Sequence, residues 1–438
     1  MRQTDIGDQL EADLYPGLSI PLSALSEHDF ILLIGSNIQR EQPLLSTRLR
    51  KANLMGTQIA SINCLAYEFR FPQTFQITVS PKQMPETLEE VIKALTGEPT
   101  STELVNIQIN AHDLARLLQQ SKHGLILLGA VAHNHPQASY IRHLARSIAQ
   151  QTHAQLGFLT EGANTAGAWL AGAVPHRGDA GMRLEKSGLS FPQMLNSDLD
   201  IYFLWNIEPQ LDCAQPKLMQ EALAKAHWVI AASPFKASSL LEQADVIFPI
   251  ASFTETAGTF VNVEGRWQSF TTSVAALGDT KPGWQVLQVL ARHLGLENFN
   301  YVNAESIRDE LYKRVLETDF TVSGQSSSVS QRSESEPALT RITEWPMYAQ
   351  DNLVRRSGAL QASAANESVA VYLNRRLATQ LGISENTVRV RVMQNQVSVY
   401  LPVVMDERIP DRCVWIPGGY VETANLGDSF GAVDIYVE

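Results

Sequence analysis

The 438-residue sequence predicts an α/β protein of doubly wound, mostly parallel sheets followed by a mainly-β, barrel-like C-terminal domain. Three observations predict it. Short apolar runs alternate with helix-like segments from Phe30 to Leu294. The stretch Asp245–Gln268 reads as a strand stopped at Pro249, a polar loop and a turn back through Gly258, which is how an open α/β sheet makes a crevice at its strand ends. Beyond a serine-rich tract at 322–337, apolar residues alternate with period two.

Residues before Phe30 read as an arm with little core of its own, broken by Tyr15-Pro16-Gly17 and Pro21. Phe30–Ile34 is the first strand, and it ends at Gly35-Ser36-Asn37. A helix over Leu44–Leu54, stopped by Gly56, leads to a strand over Gln58–Cys64, a β-α-β unit. Gln76–Val79 is a third strand, Thr87–Leu95 a helix capped by Gly97, and Asn110–Gln120 a further helix.

A second set opens with the strand Gly124–Gly129 and a loop over Val131–Gln137. In the helix Ser139–Gln150 that follows, Ile141, Leu144, Ala145 and Ile148 line one face. Strands follow at Leu156–Leu159, Asp200–Trp205 and Trp228–Ala232, with a helix over Pro216–Ala226. A helix over Trp284–Leu294, stopped by Gly295, ends the α/β part.

Past the tract, Tyr372–Leu381 reads as a helix stopped by Gly382. Thr387–Val392 and Val397–Leu401 form a hairpin about a Gln-Asn-Gln turn, and Val414–Ile416 and Val433–Val437 add two strands. The expected domains are therefore a first lobe with its arm (1–120), a second lobe (121–320), a linker (321–337) and the β domain (338–438).

Composition is globular: 44% hydrophobic and 18% charged, below the roughly 25% charge of average domains. A net charge of -12 argues against a nucleic-acid surface. No run of about 18 apolar residues is present to span a bilayer. The N-terminus lacks the basic and apolar regions of a secretory signal. Cys64, Cys213 and Cys413 stand alone, fewer than a four-cysteine iron–sulfur cluster needs, and are expected as buried thiols.

Asp245–Pro249, Glu255, Gly258-Thr259-Phe260 and Asn262–Arg266 resemble a signature of the molybdopterin oxidoreductase superfamily. With the block Glu161–Arg177, they most resemble the branch formed by the G-type subunits of proton-pumping NADH-quinone oxidoreductases, the respiratory complex I. The resemblance runs from about Phe30 to the C-terminus and is weakest between Pro81 and Ser121. It implies a scaffold that supports electron transfer from NADH through FMN and iron–sulfur clusters to quinone. It also implies other peripheral-arm subunits as partners, on the cytoplasmic side of the bacterial inner membrane. In that branch cysteine-rich segments holding 2Fe-2S and 4Fe-4S clusters lie upstream, and nothing here matches them, so no cofactor is expected in this chain. The alternative is a fragment of a molybdopterin-dependent oxidoreductase of formate dehydrogenase or nitrate reductase type.

The strand-end loops are the candidate cleft: Gly35, Ser36 and Asn37, then Gly129 and Asn134, then Asn206. The resemblance makes them positions of a degenerate pterin cleft. No G-x-G-x-x-G or G-x-x-x-x-G-K-[ST] occurs and backbone donors are few, so an empty or remodelled cleft is expected over bound molybdopterin. His133, His135, His143 and His153 have no nearby cysteine or paired carboxylate to complete a metal set; surface or capping roles are expected. His176-Arg177 reads as an ion-pair position, with contact to an acidic partner as the other reading, and Glu255 and Glu264 read as loop anchors. Trp345, Tyr348, Trp415 and Tyr420 read as satellite core, with interface anchors as the other reading.

Overall fold

Five apolar runs align as one parallel sheet. In the computed structural model, which describes residues 2–11, 15–18, 20–99, 105–318 and 338–437, β1 (Phe30–Ile34), β2 (Gln58–Asn63), β3 (Phe75–Thr78), β4 (Gly124–Leu128) and β5 (Gln155–Phe158) lie in the order β3-β2-β1-β4-β5. Every neighbouring pair is parallel. All residues of β1 and β4 are buried, as a sheet covered on both faces requires. Leu32, Ile34, Ile126 and Leu128 share one core cluster, whereas Ile31, Leu33, Leu125 and Leu127 share the other. The second cluster takes in Leu45 and Leu49 of α1 (Pro43–Leu54) and Leu18, Ile20 and Leu25 of the arm. The first takes in α2 (Gln83–Thr96), α3 (Val105–Gln120) and α4 (Ala138–Thr152).

The strands on either side of residue 120 therefore belong to one sheet, and the expected division there does not fall between sheets. A separate sheet begins only after the small-residue helix α5 (Thr165–Leu170). It comprises β6 (Ile201–Trp205), β7 (Trp228–Ser233) and β8 (Val246–Pro249), all parallel, with α6 (Pro216–Lys225) packed against it. One face is covered, through Tyr202, Leu204, Val229 and Ala231. The other presents Ile201, Phe203, Trp228 and Val246 to solvent. The signature block after β8 is a hairpin, β9 (Gly258–Val261) and β10 (Trp267–Phe270). The helix α7 (Gly283–His293) matches the expected one, while α8 (Ala304–Glu317) escapes sequence reasoning, because its charges are spread around the whole helix.

The C-terminal sheet is mixed, in the order β11-β15-β12-β14-β13-β16. Its strands are β11 (Thr340–Ile342), β12 (Val371–Leu373), β13 (Arg389–Gln394), β14 (Val397–Met405), β15 (Cys413–Trp415) and β16 (Asp434–Val437). It curls until its edges meet, with Thr340 bridged to Ala432 and Val433 N–H donating to the Leu339 carbonyl. The expected helix over Tyr372–Leu381 is corrected: Val371–Leu373 is a central strand, and α9 (Arg375–Gln380) starts only after Asn374, whose Oδ1 accepts from Leu377 N at 2.8 Å. Asn395 and Gln396 have positive φ, the geometry a two-residue hairpin demands. Ile342, Tyr372, Cys413 and Trp415 join the first sheet's core cluster, which seats the β sheet against the α/β layer. The serine-rich linker at 321–337 lies outside the described residues.

Gly35 has φ +59 and a Cβ there would lie 2.5 Å from the Ala132 nitrogen; Gly97 has φ +73 but open space around it. Gly97→Ala is expected to cost about 1–2 kcal/mol, the left-handed penalty alone. Gly35→Ala adds backbone collision and is expected to cost at least about 3 kcal/mol. Chemical denaturation of the two variants checks the difference.

Candidate functional site

In the first sheet the chain moves outward one way from β1 to β3 and the other way from β4 to β5. The switch between β1 and β4 is where an open α/β sheet leaves a crevice at its strand ends. Gly35, Ser36, Asn37, Gly129 and Asn134 converge there. The two loops are locked together: Val131 and Ala132 amides donate to the Gly35 carbonyl, and a Cβ on Gly129 would collide with Ser36.

The backbone amides of this crevice are already used. Glu41 reaches back from the segment after β1, where its Oε1 accepts from Asn37 N at 2.7 Å. Its Oε2 accepts from Ser36 Oγ at 3.0 Å and Ala130 N at 3.2 Å. Ser36 N donates to Asn63 Oδ1. The amides of Gly35, Gly129 and 131–134 each donate to a backbone carbonyl. Burial pushes the Glu41 carboxyl up to about 7, while the three donors hold it from rising further. A carboxyl of the chain itself thus sits where a bound anion would collect loop amides.

Asn206 lies apart from this group, at the end of β6. It has φ 51, and its Oδ1 accepts from Asn352 Nδ2 at 2.8 Å. Beside it, Glu208 pairs with Arg355 and Arg356, and Arg355 also pairs with Asp212. Arg2 extends this knot to Glu161 at 3.0 Å and lies 4.9 Å over the Trp345 ring.

The histidines depart in part from the expected surface or capping roles. His133 and His135 are buried rather than at the surface. His135 Nδ1 accepts from Gln137 N at 3.0 Å and Nε2 is 2.9 Å from the Pro81 carbonyl, so it braces the entry to α4. Burial lowers it to about 4; burial and then the Arg142 charge lower His133 to about 3. His153 is the left-handed C-cap of α4. Among the described residues no three histidine, cysteine or acidic side chains group as a metal site. Trp345 and Trp415 are buried, and Glu264 anchors the arm by accepting from Leu22 N at 2.8 Å.

The seam between the crevice and the C-terminal sheet holds a cavity of 50 Å³, bordered by Glu41, Asn134, Thr343, Glu344 and Trp415. Tyr67 Oη donates to Glu344 Oε1 at 2.6 Å. Burial pushes Glu344 up to about 8, against that hydrogen bond, and nearby Glu41 adds to the rise. Sequence reasoning missed Tyr67 and Glu344, which are 277 residues apart, and Glu41, whose contact with the second loop, at Ala130, spans 89 residues.

This fold and crevice define a class. Residues 11–293 match the family model described as molybdopterin oxidoreductase, and the chain belongs to that family. It is 29% identical over 215 residues to the NADH-quinone oxidoreductase G subunit of Mycobacterium bovis, covering 48% of this chain and 26% of that protein. With the NADH-ubiquinone oxidoreductase 75 kDa subunit of Reclinomonas americana it shares 26% over 280 residues, 63% of this chain and 35% of the relative. With the assimilatory nitrate reductase catalytic subunit of Bacillus subtilis it shares 33% over 133 residues, 29% of this chain and 19% of that one. The chain thus spans no more than about a third of these relatives' length. Acetylene hydratase from Pelobacter acetylenicus has the same fold, with a TM-score of 0.64 at 12% identity, covering 98% of this chain and 80% of that one. No described helix is long and apolar enough to cross a membrane.

The family's name implies a pterin cofactor. A phosphate at the β1/β4 switch would find the amides of 35–37 and 129–134 committed and would face the Glu41 carboxyl, so these loops as folded do not fit one.

Both Glu344 and Glu41 have folded pKa values above the ordinary 4.5. Their contribution to stability is complete below about 4.5 and is lost as pH rises through about 7 to 8. Thermal melting is expected to fall over that window, and Glu344→Gln should flatten its upper part.

Proposed function

We propose that this chain is a non-catalytic scaffold, corresponding to part of the G-type subunit of a proton-pumping NADH-quinone oxidoreductase. One observation carries the reading: the carboxyl of Glu41 occupies the donor set at the strand-end crevice, where the fold would otherwise take an anionic cofactor. The chain then supports electron transfer from NADH through FMN and iron–sulfur clusters to quinone by bracing neighbours, and holds neither molybdopterin nor a cluster. Its partners are other peripheral-arm subunits, on the cytoplasmic side of the membrane. The exposed apolar patch of Ile201, Phe203, Trp228 and Val246 on the β6–β8 sheet supports this role, since parallel sheets are ordinarily covered on both sides. The formate dehydrogenase and nitrate reductase relatives keep a second reading in view, that of a fragment of a molybdenum enzyme.

Tagged chain isolated under mild conditions from cells that express it natively separates the two. The scaffold reading expects co-purifying NADH-quinone oxidoreductase subunits, and no molybdenum, tungsten or pterin fluorescence assignable to this chain. Molybdenum or tungsten near one per chain, with a pterin signal, would overturn it.

A further inference from the structure

A cavity of 570 Å³, distinct from the small seam cavity, opens between the N-terminal arm, the Thr160–Thr165 turn after β5 and the block that ends at His176. That volume is in the range of small-molecule sites, roughly 300–1,000 Å³. Two of its walls carry buried polar atoms without a partner. Arg142 is 2% exposed; its Nε and Nη2 hold Asp8, but its Nη1 has no partner among the described residues. His176 is 4% exposed, and neither ring nitrogen has a partner among the described residues. Buried groups left in this state cost about 1–3 kcal/mol each, so a folded protein rarely carries them together without something to bond.

We propose that this cavity binds a small organic oxyanion, a carboxylate or phosphate monoester, whose charged end meets Arg142 and His176. The acidic side chains nearby do not stand against it, because each is already engaged. Asp8 is held by Arg142, Glu161 by Arg2, and Asp212 by Arg355, and Asp351 Oδ1 accepts from the Leu353 and Val354 amides. The unspent capacity is one guanidinium nitrogen and a neutral imidazole with a donor and an acceptor. An oxyanion takes both donors, and a ligand hydroxyl or protonated oxygen would satisfy the remaining nitrogen. Burial, followed by the charge of Arg177, keeps His176 low at about 4, and the Arg142 charge acts the same way on His133, which also lines the cavity. Phe158, Leu159 and Trp169 supply apolar wall for the body of the ligand.

The test is calorimetric titration of the full chain with inorganic phosphate, malonate and adenosine monophosphate, with sodium chloride at matched ionic strength as control. Saturable binding of at least one probe is expected, the phosphate and malonate arms telling phosphoryl from carboxylate recognition. His176→Leu keeps the charge, because the imidazole is neutral, and should weaken binding at least tenfold without lowering the melting temperature. Arg142→Lys keeps the pairing with Asp8 and should weaken it similarly; if that variant does not fold, His176→Leu decides alone. No saturable response to any probe, or affinity unchanged in His176→Leu, would overturn the proposal. So would a pterin dinucleotide found filling the cavity in the purified protein.

Discussion

The carboxyl of Glu41 is the interaction on which the strand-end architecture depends. It accepts from the loop after β1 and the loop after β4 at once, so it closes the point where the sheet's two halves diverge. Without it, the Asn37 and Ala130 amides would sit in a partly buried crevice with no acceptor, which the fold would have to offset with water or a ligand. The contact is what the proposed scaffold role rests on. The geometry that usually gathers an anion is retained, and the group it gathers is a carboxyl of the chain.

Around that point the molecule is tied together by long-range polar contacts and shared core. Tyr67 bonds Glu344 across the seam, and Arg2, Asp212, Glu208 and Arg355 link the arm, the β6 loop and the C-terminal segment. Buried charges of this kind contribute little net stability, but removing one partner strands the other, so they fix which surfaces meet. The β6–β8 sheet contrasts with this. On its second face Ile201, Phe203, Trp228 and Val246 form an exposed apolar patch, an arrangement suited to covering by another polypeptide.

Much of this was legible in the sequence. Apolar runs such as Phe30–Ile34 and Gly124–Leu128 announce buried parallel strands, and the loops that follow them mark the crevice. The contents of the crevice were not legible, since a glutamate in the segment past a strand reads as a solvated charge until Ala130, 89 residues away, is brought to it. The burial of His135 was hidden for the same reason: Pro81, whose carbonyl its Nε2 meets, is 54 residues distant. Short elements failed differently. Three residues of β12 carry no periodicity, so Val371–Leu373 merged into the helix that Asn374 starts. The exposed patch of the second sheet was hidden because Ile201–Trp205 is apolar on both sides, whichever side is covered.

The most direct test of the account is the titration of Glu41, followed by NMR through its side-chain carboxyl carbon and the Asn37 and Ala130 amides. The account predicts that the carboxyl titrates near 7 and that both amide signals move with it. A carboxyl that titrates at the ordinary 4.5, with the two amides unmoved, would show the crevice open and contradict it.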